Sequence, residues 1–171
     1  SVAALEPRSD ESESLVQVFL ATTQRQPASV AARHKVGDAW IDTTWAEMAE
    51  RARRTAFGLA ALGVQPGERV NLLGNTTLDW VICELAIQMA GAVSVPIYQT
   101  NPAADVAYVI NDSGGVFCCC DSPEQLAKLL EVANDTPTLK GRIRMDGPGG
   151  DDAIDLERLE DGEPGTGGLE P

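Results

Sequence analysis

The side chains with most chemistry to offer in these 171 residues are four cysteines, a single histidine and a short run of arginines. Cys118, Cys119 and Cys120 are consecutive, and Cys83 stands apart. Thiols can cross-link, ligate metal or sense oxidants. Neighbours on an extended segment point to opposite faces, which is poor geometry for pairing with each other. Without a CxxC pair, and with His34 the sole histidine, a zinc site is not expected. The apolar run Val116–Cys120 instead predicts buried, reduced, inert thiols in a cytoplasmic protein. His34 falls on an expected hairpin with no carboxylate near it in sequence, and reads as a surface histidine. Glu47 and Glu50 suggest acid–base work, but a helix cap already accounts for Glu47. Arg51, Arg53 and Arg54 would make an anion patch; a solvated helix face is the plainer expectation.

The elements that must position these residues alternate. An amphipathic helix opens at Ser14, carries Leu15, Val18, Phe19 and Thr22 on one stripe, and closes before Pro27. Two extended runs, 29–35 and 39–43, flank Val36-Gly37-Asp38 as a hairpin. Thr44 with Glu47 forms a capping-box signature for a helix whose apolar positions include Trp45, Met48, Ala52, Ala56 and Leu59, ending at Gly63. After the Pro66-Gly67 turn comes strand 69–73, then a helix from a Thr76 cap through Ala90. Strand 92–98 contains Pro96 and so belongs near a sheet edge or strand end. An Asn101 cap with Pro102 at the first position begins another helix. Gly114-Gly115 breaks it, and strand 116–120, a helix from Ser122-Pro123 and a short strand 142–145 follow. Beyond Gly147 the composition turns to Gly, Pro, Asp and Glu, with one helical piece at 154–159. Trp45, Trp80 and Leu78 read as core. Alternating strands and helices with short connections predict an α/β fold with a parallel-type sheet and flanking helices.

Thirteen basic against twenty-six acidic residues give a net charge of −13, which excludes a nucleic-acid surface. The excess is terminal: residues 1–13 hold four acids and one base, and residues 146–171 nine acids and one base. The intervening chain is nearly neutral and rich enough in Val, Leu, Ile and Ala to bury a core. The longest apolar stretch, near 80–93, is interrupted by Glu84 and Gln88, so no transmembrane segment is expected. No basic and apolar leader pattern is present at the start. The organisation expected is an acidic arm at 1–13, an α/β region at 14–145, and at 146–171 an acidic Gly/Pro-rich linker or truncated continuation.

Five segments in order carry a family resemblance. Thr44-Trp45-Ala46-Glu47 is similar to a helix that opens "TWxE". Leu62-Gly63-Val64-Gln65-Pro66-Gly67-Glu68-Arg69-Val70 is similar to "LGVxPGDRV", and Asn75-Thr76-Thr77-Leu78-Asp79-Trp80 to "NSxEW". Ala90 through Tyr98 resembles "AGAVxVPxY", and Asn111-Asp112-Ser113-Gly114 resembles "xDSG". Together they resemble the N-terminal part of adenylate-forming (AMP-binding) acyl-CoA synthetases over about residues 14–145. The Pro96-Ile97-Tyr98-Gln99-Thr100 step resembles the long-chain fatty acyl-CoA branch.

The resemblance implies an incomplete N-terminal subdomain of the adenylate-forming fold. The parent enzyme would join a fatty acid to ATP with Mg²⁺ and pass the acyl-adenylate to coenzyme A. The family's phosphate loop, rich in Ser, Thr and Gly and ending in Lys, has no counterpart here; Gly165-Thr166-Gly167-Gly168 lacks the Lys and the preceding strand. The isolated chain is therefore expected to be inactive, to bind none of these cofactors strongly, and to have the remaining C-terminal part of the same enzyme as its main partner. Tyr98, Gln99 and Thr100 match the turn beside the family's pantetheine channel and are the candidate coenzyme-binding residues; the competing reading packs Tyr98 in the core. No catalytic or metal-ligating residue is assigned. A homodimer and peripheral attachment at a membrane are left open. Two other functions compete: a non-catalytic α/β interaction module, and the same part of a ligase for an aryl or amino acid.

Overall fold

The computed structural model describes residues 14–162. The expected acidic arm at 1–13 and the segment Gly165-Thr166-Gly167-Gly168 lie outside the described residues.

Helix α1 (Leu15–Arg25) starts at Ser14, whose hydroxyl accepts from Gln17 N while the Gln17 side chain accepts from Ser14 N. This reciprocal capping box satisfies two amides that the first helical turn leaves unpaired. Of the expected apolar stripe only Phe19 is buried; Leu15 and Val18 are exposed, because α1 touches the rest of the fold chiefly through Phe19. Strands β1 (Val30–Val36) and β2 (Ala39–Thr44) form an antiparallel hairpin. Thr44 then caps α2 (Trp45–Ala61), again with a complete box to Glu47.

Five parallel strands form the main sheet: β3 (Arg69–Leu73), β4 (Val93–Ile97), β5 (Gly115–Cys120), β6 (Gly141–Arg144) and β7 (Ile154–Asp155). Their spatial order is β4-β3-β5-β6-β7. Pro96 thus sits on the outer strand, where a missing N–H disturbs no ladder on the open side. Between the strands run α3 (Leu78–Met89), α4 (Ala103–Ser113), α5 (Pro123–Glu131) and a 3-10 turn (Ala133–Asp135); α6 (Leu156–Glu160) follows β7.

The sheet is covered on both faces, as parallel sheets require. One face joins Leu72, Phe117, Cys119 and Ile143 to Leu59 of α2, Cys83 and Ile87 of α3, and Leu159 of α6. The other joins Leu73, Ile97, Cys118 and Cys120 to Val106 and Ile110 of α4 and Leu126 and Leu129 of α5. The cysteines of β5 therefore divide between the two faces, and all four thiols are free and buried. Phe19, Met48, Ala52, Ile82 and Leu85 make a third cluster, with the Phe19 and Trp45 rings 5.8 Å apart. Trp45 and Leu78 flank this third cluster and Trp80 the first, each only partly buried.

Several expectations shift. The cap of α3 is Thr77, whose hydroxyl accepts from Trp80 N, rather than Thr76. Helix α4 begins one residue late, with Pro102 itself at the cap position and no side-chain cap, so Asn101 does not serve. The piece at 154–159 is not a uniform helix: Ile154 and Asp155 pair with Ile143 and Arg144, and the helix starts only at Leu156. Short range hides this strand, since two residues have no readable alternation. His34 is half-buried rather than at the surface, with its Nδ1 shielded and without a hydrogen bond among the described residues.

Arg51 and Arg54 are not a solvated face. Arg51 bridges Asp79 of α3 and Glu160 of α6, both at 2.9 Å, and Arg54 donates to the Glu160 carbonyl at 2.9 Å and pairs with Asp161. Only Arg53 behaves as expected, pairing along its own helix with Glu50. Two of these acids, Glu160 and Asp161, come from the stretch beyond Gly147, so part of the terminal acidity is neutralised on α2.

Candidate functional site

In sheets of this kind the ends of the strands meet the following helices through loops. Ligands enter at the carboxyl ends, where successive connections leave in opposite directions. Here the chain passes from β3 outward to β4, then crosses back to place β5 on the other side of β3. The divergence lies between the ends of β3 and β5. Beside it opens a groove of about 580 Å³. Gly74, Asn75 and Thr76 after β3, with Trp80 of α3, make one wall; Pro96, Ile97, Tyr98 and Gln99 at the end of β4 make the other.

Two of the three candidate residues expected from sequence, Tyr98 and Gln99, line this groove. The side chain of Tyr98 is not core: the residue is 77% exposed, while its neighbour Ile97 is buried as the anchor. Gln99 is half-buried and Thr100 exposed on the same turn. The turn closes with Asn101 N donating to the Tyr98 carbonyl at 3.0 Å.

Both walls are held from a third direction. The carboxylate of Asp121, the residue after β5, accepts from the backbone N and the side-chain Nδ2 of Asn75, each at 2.8 Å. Asp121 N donates to the Leu73 carbonyl at 3.2 Å, extending the ladder by one bond. Asp121 is only 8% exposed, and a Cβ on Gly74 would lie 2.5 Å from its Cγ, so glycine is what lets the carboxylate close on the loop. On the opposite wall the Gln99 carbonyl accepts from Gln125 Nε2 at 3.1 Å and from Lys128 Nζ at 2.7 Å. Lys128 also donates to the Asn101 carbonyl at 3.0 Å. Helix α5 is itself started by Ser122, whose hydroxyl accepts from Gln125 N.

None of Asp121, Gln125 and Lys128 was singled out by sequence. An acid directly after an apolar parallel strand is a signal that could have found Asp121. Nothing local marks Lys128, whose carbonyl partners lie 27 and 29 positions away.

The groove offers shape and hydrogen-bonding groups, not bond-making groups. Its lining contains no cysteine or histidine. The four thiols are buried, three in β5 and Cys83 on α3 against the sheet; burial pushes Cys120 up to about 12 and Cys118 well above the ordinary value, while Cys83 is raised by its contact with Cys119 and by burial. Among the described residues no three His, Cys, Asp or Glu side chains gather as a metal site. No helix among the described residues is long and apolar enough to cross a membrane.

Comparison with known proteins agrees with this architecture. A family model described as AMP-binding enzyme matches residues 19–166. The long-chain-fatty-acid–CoA ligase FadD15 of Mycobacterium bovis is 35% identical over 123 residues, covering 72% of this chain and 20% of that protein. The long-chain-fatty-acid–CoA ligase heimdall of Drosophila melanogaster is 31% identical over 128 residues, 75% of this chain and 18% of that protein. The chain therefore spans about a fifth of the length of these curated relatives. Among solved structures, the anthranilate CoA ligase AuaEII bound to anthranoyl-AMP superposes with a TM-score of 0.78 at 19% identity, over 87% of this chain and 28% of that one. That likeness shows the fold: the five-stranded parallel sheet with its flanking helices is the N-terminal subdomain of adenylate-forming enzymes. With most of its length matched and its sheet so arranged, the chain belongs to the family of AMP-binding enzymes.

Proposed function

We propose that this chain is the N-terminal region of an ATP-dependent long-chain fatty acid–CoA ligase. The observation that carries the reading is the 35% identity with a long-chain ligase across 123 residues. Its contribution is scaffold and entry path. Adenylation of the carboxylate and release of pyrophosphate need the Lys-ended phosphate loop and the later catalytic Lys, and these fall to sequence beyond the described residues. ATP, Mg²⁺ and coenzyme A belong to the complete enzyme, and the rest of that enzyme is this region's partner.

Within the region, Tyr98, Gln99 and Thr100 border the passage of the pantetheine arm. The exposed Tyr98 ring, set on a strand end anchored by buried Ile97, supports this reading. Backbone groups fixed by α5 would leave the ligand little to order, which favours binding. The organisation proposed is an acidic arm at 1–13, an α/β body at 14–145 and an acidic Gly/Pro-rich stretch at 146–171 that continues the body through β7 and α6.

The complete ligase, assayed with palmitate, acetate and benzoate, is expected to form acyl-CoA fastest from palmitate. A preference for benzoate would assign the region to a ligase for aryl acids, and no thioester from any acid would remove the ligase reading. Residues 1–171 alone are expected to give no ATP–pyrophosphate exchange above background; a clear exchange signal would overturn the division of labour.

A further inference from the structure

We infer that the segment Asp121–Lys128 is a brace that sets the spacing of the groove, with Asp121 and Lys128 acting as positioning residues for the coenzyme step. The inference rests on the ligase reading and goes beyond it by assigning a role to residues that do not touch the ligand. Neither Asp121 nor Lys128 lines the groove, yet each is bonded to one of its two walls.

The β3–β4 ladder joins the two walls at their roots, ending at Leu73 and Ile97, and beyond it no hydrogen bond among the described residues joins the two loops across the opening. Both are instead tied to the same eight residues after β5. Asp121 holds Gly74–Asn75 by two bonds to one carboxylate oxygen, and Lys128, with Gln125, holds Gln99–Asn101 through two carbonyls. The ends of this segment are rigidly joined: residue 121 leaves β5 and residue 128 lies in the α5 helix. Gln125 is 4% exposed and Leu126 and Leu129 are buried in the sheet face, so the segment cannot shift without disturbing the core. Charge-assisted bonds from a carboxylate and an ammonium are the stronger kind and hold geometry well. A loop displaced by an ångström misplaces whatever passes beside it.

The brace acts on the groove and not on the adenylating groups, so it separates the two half-reactions. In the complete ligase, Lys128→Met keeps the stem but removes both carbonyl bonds. It is expected to raise KM for coenzyme A about tenfold, the loss of one or two bonds to a charged group, while acid-dependent ATP–pyrophosphate exchange stays within about twofold. Asp121→Asn, which weakens the other anchor, is expected to do the same. Lys128→Arg, which restores donors to the carbonyls, is expected to recover most of the affinity. Where Asp121→Asn fails to fold, Asn75→Ala removes one of its two bonds and is expected to raise KM for coenzyme A about threefold. An unchanged KM for coenzyme A in Lys128→Met, or a parallel fall in pyrophosphate exchange, overturns the brace. If the unaltered ligase itself makes no acyl-CoA, it is the underlying reading that fails.

Discussion

Replacing Gly58 by alanine sets two forces against each other. Gly58 lies inside the 17-residue helix α2, where alanine is the better helix former by up to about 1 kcal/mol. A Cβ there would nevertheless lie 2.5 Å from Leu159 Cγ, 2.6 Å from its Cδ1 and 2.6 Å from its carbonyl oxygen. The side chain can rotate away; the carbonyl belongs to α6 and cannot yield without moving that helix. Overpacking of this kind costs about 1–3 kcal/mol. The penalty falls on the docking of α6, whereas the propensity gain falls on α2. Hydrogen exchange read by mass spectrometry separates the two. Peptides spanning residues 150–162 are expected to exchange roughly thirtyfold faster in Gly58→Ala, for a local loss of about 2 kcal/mol, while α2 amides exchange no faster than before. Adding Leu159→Ala to that background should relieve the side-chain part of the clash, so the two changes combine to less than their sum. Unaltered exchange at 150–162 with better-protected α2 would refute the close seating of α6 on Gly58, and with it the place of the acidic C-terminal stretch in the core.

Two further outcomes are expected. The four buried thiols, with Cys120 held at about 12 and Cys118 and Cys83 raised as well, should resist a thiol reagent at pH 8 in the folded protein and react fully in denaturant; rapid native labelling of Cys118 or Cys120 would contradict their placement in the sheet. The Glu47 carboxylate is held below its ordinary value, first by the Thr44 backbone N–H and then by its hydroxyl. A group depressed in the folded state stabilises above its unfolded pKa and loses that contribution as pH falls through the folded one. Amides in the first turn of α2 should therefore exchange faster, relative to the intrinsic rate, as the solution is acidified below the usual carboxylate range; Glu47→Gln should abolish that trend, and its persistence would remove the capping explanation.

The elements were legible where a local signal states them. Thr44 with Glu47, Ser122 before Pro123, and Gly114, which takes a left-handed conformation at φ 62°, each mark a boundary through chemistry within a few residues. Strand β3 follows from its apolar run and preceding turn, and Pro96 forecasts an edge. What the sequence hid is long-range. Neighbouring threonines 76 and 77 are equivalent as letters, and only the fold shows that Trp80 N donates to the second. Arg51 and Arg54 look like any basic helix face until α6 arrives 105 or more positions later. At the groove, Tyr98 and Gln99 were visible through family likeness. Asp121 and Lys128 were not, because their partners lie 46 and 27–29 positions away and are mainly backbone groups, which leave no trace in residue identity.

The bond between Arg51 and Glu160 joins positions 109 apart, and this has a consequence for the chain as it is made. Helix α2 leaves the ribosome early, with its arginines and its glycine notch facing outward. The helix that covers them emerges only after translation of a further hundred residues or so, on the order of 5–20 s. Throughout that interval the nascent polypeptide carries a cationic, partly apolar strip and an unfinished sheet, a surface suited to a holding chaperone. Arrival of β7 and α6 extends the sheet, fills the notch and supplies Glu160 and Asp161 to Arg51 and Arg54 together. A stall or frameshift just before residue 154 would thus release a product with nearly all its helices yet an uncovered flank, the kind of species that quality control recognises.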